Sequence, residues 1–199
     1  MMRRTRTMIA AVMAALLAVP AAAQFSDSYN FLKAVRDRDG DKVQKALDVP
    51  GSPVINTRDY NTGEGVLHIL VKRRDTTWLG FMLAKGAKPD MRDAEGNTPL
   101  GLAAQVGYTE GVQLLLDAHA SIDLDNTRGE TPLIFAVHNR DVGTVRMLLA
   151  AGANPKRADR IAGKSAHDYA QDDPRAGPIL KLLDAAKPAK PIVKMGPTL

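Results

Sequence analysis

The chain contains no cysteine, few aromatic residues and no apolar run long enough to span a bilayer. Each absence closes off a class of protein. Without cysteine there is no disulfide framework, no thiol nucleophile, no Cys-ligated zinc and no lipid-modified cysteine behind a leader. Aromatic residues make up only 5% of the 199 residues, and they do not interleave with basic ones. An RNA-binding surface therefore lacks its stacking platform. The longest apolar run, Met8 to Val19, has twelve residues. A helix of that length rises about 18 Å, short of a hydrocarbon core of about 30 Å. No transmembrane segment is expected. With 45% apolar residues the chain is also too apolar to be wholly disordered.

What is present begins with an address. Arg3, Arg4 and Arg6 precede the apolar run, and Pro20 and Ala21-Ala22-Ala23 follow it. A positive start, a short apolar core and small residues at the end are the parts of a secretory signal peptide. We expect residues 1–23 to be a signal peptide, cleaved after Ala23, with export to the periplasm. The Arg3-Arg4 pair has no twin-arginine consensus around it, so the Sec route is favoured.

The rest of the chain repeats itself. Gly96, Thr98-Pro99-Leu100, Ala103, Val112, Leu115-Leu116 and Ala120 recur 33 residues later as Gly129, Thr131-Pro132-Leu133, Ala136, Val145, Leu148-Leu149 and Ala153. Gly63, Leu67, Leu79, Met82-Leu83 and Gly86-Ala87 hold the same offsets one step upstream. Gly163-Lys164-Ser165, Ala170, Ile179 and Leu182-Leu183 match downstream with a one-residue shift. Phe31, Ala34, Val43, Ala46 and Leu47 fit at a 36-residue step. Periods of this length signal stacked supersecondary units.

The pieces have mechanical roles. Thr98 and Thr131 suit a helix N-cap, and Pro99 and Pro132 suit the first helical turn. Ala103 and Ala136 let helices approach. Val112, Leu115 and Leu116 give a second helix its apolar stripe. Gly107, Gly86 and Gly152 suit left-handed helix ends. Arg74 and Arg140 stand where Gly107 does, and His119 stands before Ala120, so other residues must end those helices. Unit two replaces Thr-Pro with Gly65-Val66 and is expected to be the weakest interior unit. Turn fingers are predicted around Asp90 to Gly96 and Asp123 to Gly129. Val49-Pro50-Gly51-Ser52-Pro53 reads as a loop insertion, and Trp78 as a core residue.

A 33-residue unit carrying G-x-T-P-L, a small-residue helix, V-x-x-L-L and G-A resembles the ankyrin repeat. The likeness covers about residues 26–186. It implies an all-α solenoid of about five helix-turn-helix units with short β-turn fingers, with units at about 26–58, 59–91, 92–124, 125–158 and 159–186 inside a domain spanning 24–186. The outer units are charged or polar, as caps must be. Residues 187–199 hold three Lys, three Pro and no acid, and read as a flexible tail.

A search for chemistry finds little. His68, His119, His138 and His167 fit no metal-ligand spacing. His68 stands where the family carries a structural histidine. Asp172-Asp173 lies in a polar terminal unit. Gly163-Lys164-Ser165 lacks the glycine a phosphate loop needs five residues earlier, where Ala158 stands. No serine sits in G-x-S-x-G. No cofactor, no metal and no enzymatic activity are expected.

The resemblance implies instead a non-enzymatic scaffold that binds a protein partner; with the leader, the expectation is an exported bacterial-type ankyrin-repeat protein, and a monomer. The family uses its concave face, formed by finger tips and exposed positions of the first helices. By offset these are Asn61, Thr62, Glu64, Lys72 and Arg73 in unit two. In unit three they are Ala94, Glu95, Asn97, Gln105 and Val106. In unit four they are Thr127, Arg128, Glu130, His138 and Asn139. The alternative is a cell-envelope adaptor that uses the basic C-terminal tail to associate with glycan or a membrane surface. The formal charge of +5 decides nothing for nucleic acid. Leader and tail carry three cations each and no acid, and the body between them holds 21 basic and 22 acidic side chains. A nucleic-acid partner is not expected.

Overall fold

The computed structural model describes residues 21–186, with side chains from Asp27 onward. The expected apolar leader before Pro20 and the Lys/Pro tail lie outside the described residues. Five helix pairs follow one another: α1 (Ala21–Asp37) with α2 (Gly40–Leu47), α3 (Val66–Lys72) with α4 (Thr76–Ala84), α5 (Pro99–Gln105) with α6 (Thr109–Asp117), α7 (Pro132–His138) with α8 (Val142–Ala150), and α9 (Ala166–Asp172) with α10 (Gly177–Ala185). A short 3₁₀ turn, Val54–Asn56, interrupts the loop after α2, beyond the expected Val49–Pro53 insertion. First helices pack on first helices, α3 on α5 on α7 on α9, and second helices form the other layer.

The starts of the first helices follow from the repeat. Thr98, Thr131 and Ser165 accept the N–H of Gly101, Ile134 and Asp168, and Pro99 and Pro132 occupy the first turn. The Ser165 cap is reciprocal, because Asp168 accepts the Ser165 N–H at 2.8 Å. Second helices have caps of their own. Asp39, Asp75 and Asp141 accept the N–H three residues on. Unit three has Tyr108 there, without a side-chain cap, and its hydroxyl instead meets Thr76 Oγ1 at 2.7 Å.

The first helices end in left-handed residues at one repeated place: Arg38, Arg74, Gly107 and Arg140, with φ of 57°, 53°, 63° and 52°. Arginine is retained there because its side chain crosses to the next unit. Arg38 pairs with Asp75 at 2.8 Å and Arg140 with Asp173 at 2.9 Å, and Arg74 donates to the Val106 carbonyl. His119 is left-handed too (φ 59°), exposed, and its ring bonds to nothing among the described residues. His119→Gly is therefore expected to stabilise the fold by about 0.5–1 kcal/mol and to raise Tm by a few degrees. Thermal unfolding checks this, and a lowered Tm would count against it.

The core is a continuous column through the stack. Leu70, Leu79, Met82, Leu100, Leu115, Leu133, Ile134, Leu148 and Ile179 are fully buried. Ala103 and Ala136 are also fully buried where first helices meet. A unit alone would leave such faces wet, so stacking supplies the stability. Trp78 is half-buried and packs against this core.

Candidate protein-binding face

Four fingers project between the helix pairs. Each is closed by a backbone bond and by an Asp or Asn that gathers the turn's N–H groups. The closing bonds run from Asp59 N to Glu64 O, Asp93 N to Asn97 O, Asn126 N to Glu130 O and Asp159 N to Lys164 O. Asp59 Oδ1 accepts from Asn61 and Thr62, and Asp159 Oδ1 from Ile161, Ala162 and Gly163. An Asx side chain mimics a backbone turn in this way. The fingers thus begin at Asp93 and Asn126, later than the sequence suggested. Asp90 and Asp123 instead accept the N–H of Ser121 and Asn154 in the following unit. Partial burial pushes the Asp123 carboxyl above its ordinary range, and the Asn154 N–H bond opposes it.

The outer two fingers are one residue longer than the inner two. Asp59 and Asp159 stand four residues before Gly63 and Gly163, whereas Asp93 and Asn126 stand three before Gly96 and Gly129. The extra residue lifts Tyr60 and Ile161 into solvent at 89% and 77% exposure. Neither was expected at a binding face. The longer spacing between Asx and Gly was the sequence signal that could have found them.

The fingers are zipped to each other. Ala94 N donates to Thr62 O at 2.9 Å, Thr127 N to Glu95 O at 3.0 Å and Arg160 N to Arg128 O at 2.8 Å. This regularity lines up the offset-matched finger residues in one row.

Within that row the side chains divide. Glu64 and Asn97 were placed by offset on the surface, but both are buried. Glu64 pairs with Lys72, and Asn97 links Asp93 at 3.1 Å to the Asn126 amide at 3.1 Å. Arg73 and Asn139 are exposed but occupied. Arg73 donates to the carbonyls of Val35 (3.1 Å) and Arg36 (2.6 Å). Asn139 donates to those of Ala104 (2.8 Å) and Gln105 (2.7 Å). Each brings a donor to the carbonyls that end the preceding unit's first helix. Arg128 is tied to Glu130 at 2.6 Å, and Glu95 accepts from Asn97 at 3.2 Å. Thr62 and Thr127 help build the turns. The side chains of Asn61 and Gln105 carry no such duty and are exposed, as is Ala94; Val106 is half-buried.

His138 ends α7 and rests 4.4 Å from the Tyr169 ring. The Tyr169 hydroxyl donates to Asp159 at 2.6 Å, and that bond raises the phenol to about 12. Burial works against the Asp159 charge, yet the Tyr169 hydroxyl and three backbone N–H groups hold the carboxyl below its ordinary range. His138 is thus seated on a network that joins α7, α9 and the last finger.

Among the described residues no three His, Asp or Glu side chains gather as metal ligands, and no helix is long and apolar enough to cross a membrane.

Helix pairs stacked in register, joined by zipped turn fingers, define a repeat solenoid, a class that binds through its extended repeated surface. The family model for ankyrin repeats (three copies) matches residues 31–159. The chain belongs to the ankyrin repeat family, whose repeats generally mediate protein–protein interaction. A putative ankyrin repeat-containing protein of Treponema pallidum (strain Nichols) is 32% identical over 143 residues, covering 71% of this chain and 47% of that protein. The B-cell lymphoma 3 protein homolog of Mus musculus is 33% identical over 131 residues, covering 63% of this chain and 28% of that protein. Protein PhlB of Serratia liquefaciens is 36% identical over 104 residues, covering 52% of this chain and 44% of that protein. The chain spans less than half the length of each of these relatives.

Proposed function

We propose that this protein is an exported, non-enzymatic scaffold that works as a monomer in the periplasm. It binds a protein partner through finger tips and the exposed ends of its first helices. One observation carries the reading: the frame repeats while the exposed side chains do not. Thr98, Thr131 and Ser165 do the same capping work in three units. The finger tips above them carry Tyr60-Asn61, Ala94-Glu95, Thr127-Arg128 and Arg160-Ile161. A surface that varies on a constant frame suits recognition of one irregular partner.

Export rests on the leader. Cleavage after Ala23 removes three residues of α1 and leaves the helix to begin at Gln24. Intact mass of the exported protein tests this: a mature start far from Gln24 excludes it.

Binding is tested by crosslinking in the native compartment, followed by variants of the identified partner's site. Gln105→Arg with His138→Ala and Ile161→Asp should weaken that partner by about tenfold or more with little change in Tm. Arg73 and Asn139 are unsuitable, because losing them also uncaps a helix. Binding that is unchanged by the triple variant removes this part of the face from consideration.

A further inference from the structure

The long first finger and α1 enclose a cleft of about 390 Å³. Its walls are Tyr29 from the helix and Tyr60 from the finger, and its floor includes the buried Leu32. Tyr29 is 62% exposed and Tyr60 is 89% exposed, the two most exposed aromatic side chains among the described residues. The cleft's cations are Arg36 and Arg58, and its one acid is Asp59.

That acid is fully engaged. Arg36 donates to Asp59 Oδ2 at 2.8 Å, and the N–H groups of Asn61 and Thr62 take Oδ1 at 3.0 and 3.2 Å. The Arg36 contact and the Thr62 N–H hold the carboxyl below its ordinary range. Arg58 is left without a counter-charge: its guanidinium makes no hydrogen bond or ion pair with the described residues. The Tyr60 hydroxyl likewise bonds to none of them. The nearby cations Lys72 and Arg73 are committed to Glu64 and to the carbonyls ending α1.

An uncommitted arginine, two exposed tyrosines and a buried leucine lining one cleft have the composition of an interface hot spot. Tyrosine offers large contact area at low entropic cost. Arginine matches a carboxylate bidentately. A polyanion or an anionic bilayer draws its affinity from many cations at once. A single free arginine at the edge of an apolar cleft suits one carboxylate with an apolar neighbour.

We propose that the cleft between α1 and the first finger anchors an extended segment of a protein partner, with an Asp or Glu carboxylate on Arg58 and an adjoining apolar side chain between Tyr29 and Tyr60. This rests on the protein-binding reading above and names the chemistry of one part of that face. Arg58 and Tyr60 are exposed and unbonded, so changing them leaves the fold intact, which thermal unfolding verifies.

The test is selection of random twelve-residue peptides, displayed on phage, against the immobilised full chain. The expected pool is enriched in Asp and Glu, and its members lose about tenfold or more in affinity for Arg58→Glu and for Tyr60→Ala. Exchanging the peptide's acid for lysine should restore binding to Arg58→Glu. Peptides that carry no acidic enrichment overturn the proposal, as does a library that yields no binder. Peptides that depend on Gln105 and Ile161 but ignore Arg58 and Tyr60 also overturn it, while leaving protein binding at this face standing. Phosphatidylglycerol vesicles or heparin bound through Arg58, with acidic peptides ignored, overturn it in favour of a general anionic surface.

Discussion

Gly129→Ala is expected to cost about 3 kcal/mol, far more than a glycine-to-alanine change at most surface turns. Two effects combine. Gly129 has φ of +83°, a conformation that penalises any Cβ. The new Cβ would also stand 2.6 Å from the Arg160 backbone nitrogen and 2.7 Å from Arg160 Cγ. Backbone cannot swing aside as a side chain does. The finger must move, and the 2.8 Å bond from Arg160 N to Arg128 O goes with it. Gly107→Ala is the control. Gly107 is also left-handed, at φ +63°, but nothing lies within 4 Å of its Cβ position. Arg38, Arg74 and Arg140 already occupy the equivalent place with full side chains. Gly107→Ala should cost about 1 kcal/mol, the price of the left-handed conformation alone. Urea unfolding of both variants separates the two effects. Equal losses would show that neighbouring fingers yield and that their zipping contributes little.

His68→Leu is expected to cost about 2–4 kcal/mol and to flatten part of the pH dependence of stability. His68 is completely buried. Its Nδ1 accepts the Gly65 N–H at 3.2 Å, and its Nε2 lies 3.0 Å from the Asn97 carbonyl. A neutral ring with the proton on Nε2 satisfies both. This imidazole supplies what Gly65 lacks as a cap and ties unit two to unit three. Leucine leaves the buried Gly65 N–H unmatched and takes from the Asn97 carbonyl one of its two donors, the Asp93 N–H being the other. Protonation is unfavourable for the same reason. Burial holds the ring below its ordinary value of 6.5, against the bond to Asn97 and the charges of Asp93 and Glu64. The unfolded chain therefore takes up the proton first. This contribution is complete above the unfolded value of about 6.5 and is lost as pH falls through it toward the lowered folded value. The hydrogen-bonded carboxylates Asp39, Asp59 and Asp168 act in the same direction but at lower pH, because they too are held below their ordinary value of 3.8. Denaturant unfolding at about pH 8 and pH 5 should show a drop in the wild type that is smaller in His68→Leu. Equal drops would assign the acid sensitivity elsewhere.

The parts of the fold that were legible in sequence are those whose cause is local. Thr131 caps because its hydroxyl reaches a backbone N–H three residues on, and Pro132 follows for a reason within one turn. Arg74 and Arg140 stood out because they replaced a glycine. Other features hid behind the choice of alignment. Matching repeats on their glycines concealed the extra residue in the outer fingers, and with it Tyr60 and Ile161. The candidate face was legible as a row but not residue by residue. A polar side chain beside a helix end can serve a partner or cap the neighbouring helix. Arg73 and Asn139 do the latter, and only distance to the preceding unit's carbonyls tells the two apart. Asp39, Asp75 and Asp141 cap locally too, each directly after the left-handed arginine of its unit, an Arg-Asp pair that recurs in three units.

The finger zipper has one more consequence. Its three backbone bonds each join residues 32 positions apart, and each strong helix contact lies within a unit or between adjacent units. Among the described residues no strap runs the length of the stack. Tension applied to the two ends would therefore pass through the units in series, and the weakest joint would open first while its neighbours held. Such a chain pays out length in steps and reels it back in steps, so a partner seated across several fingers would act as a splint against stretching.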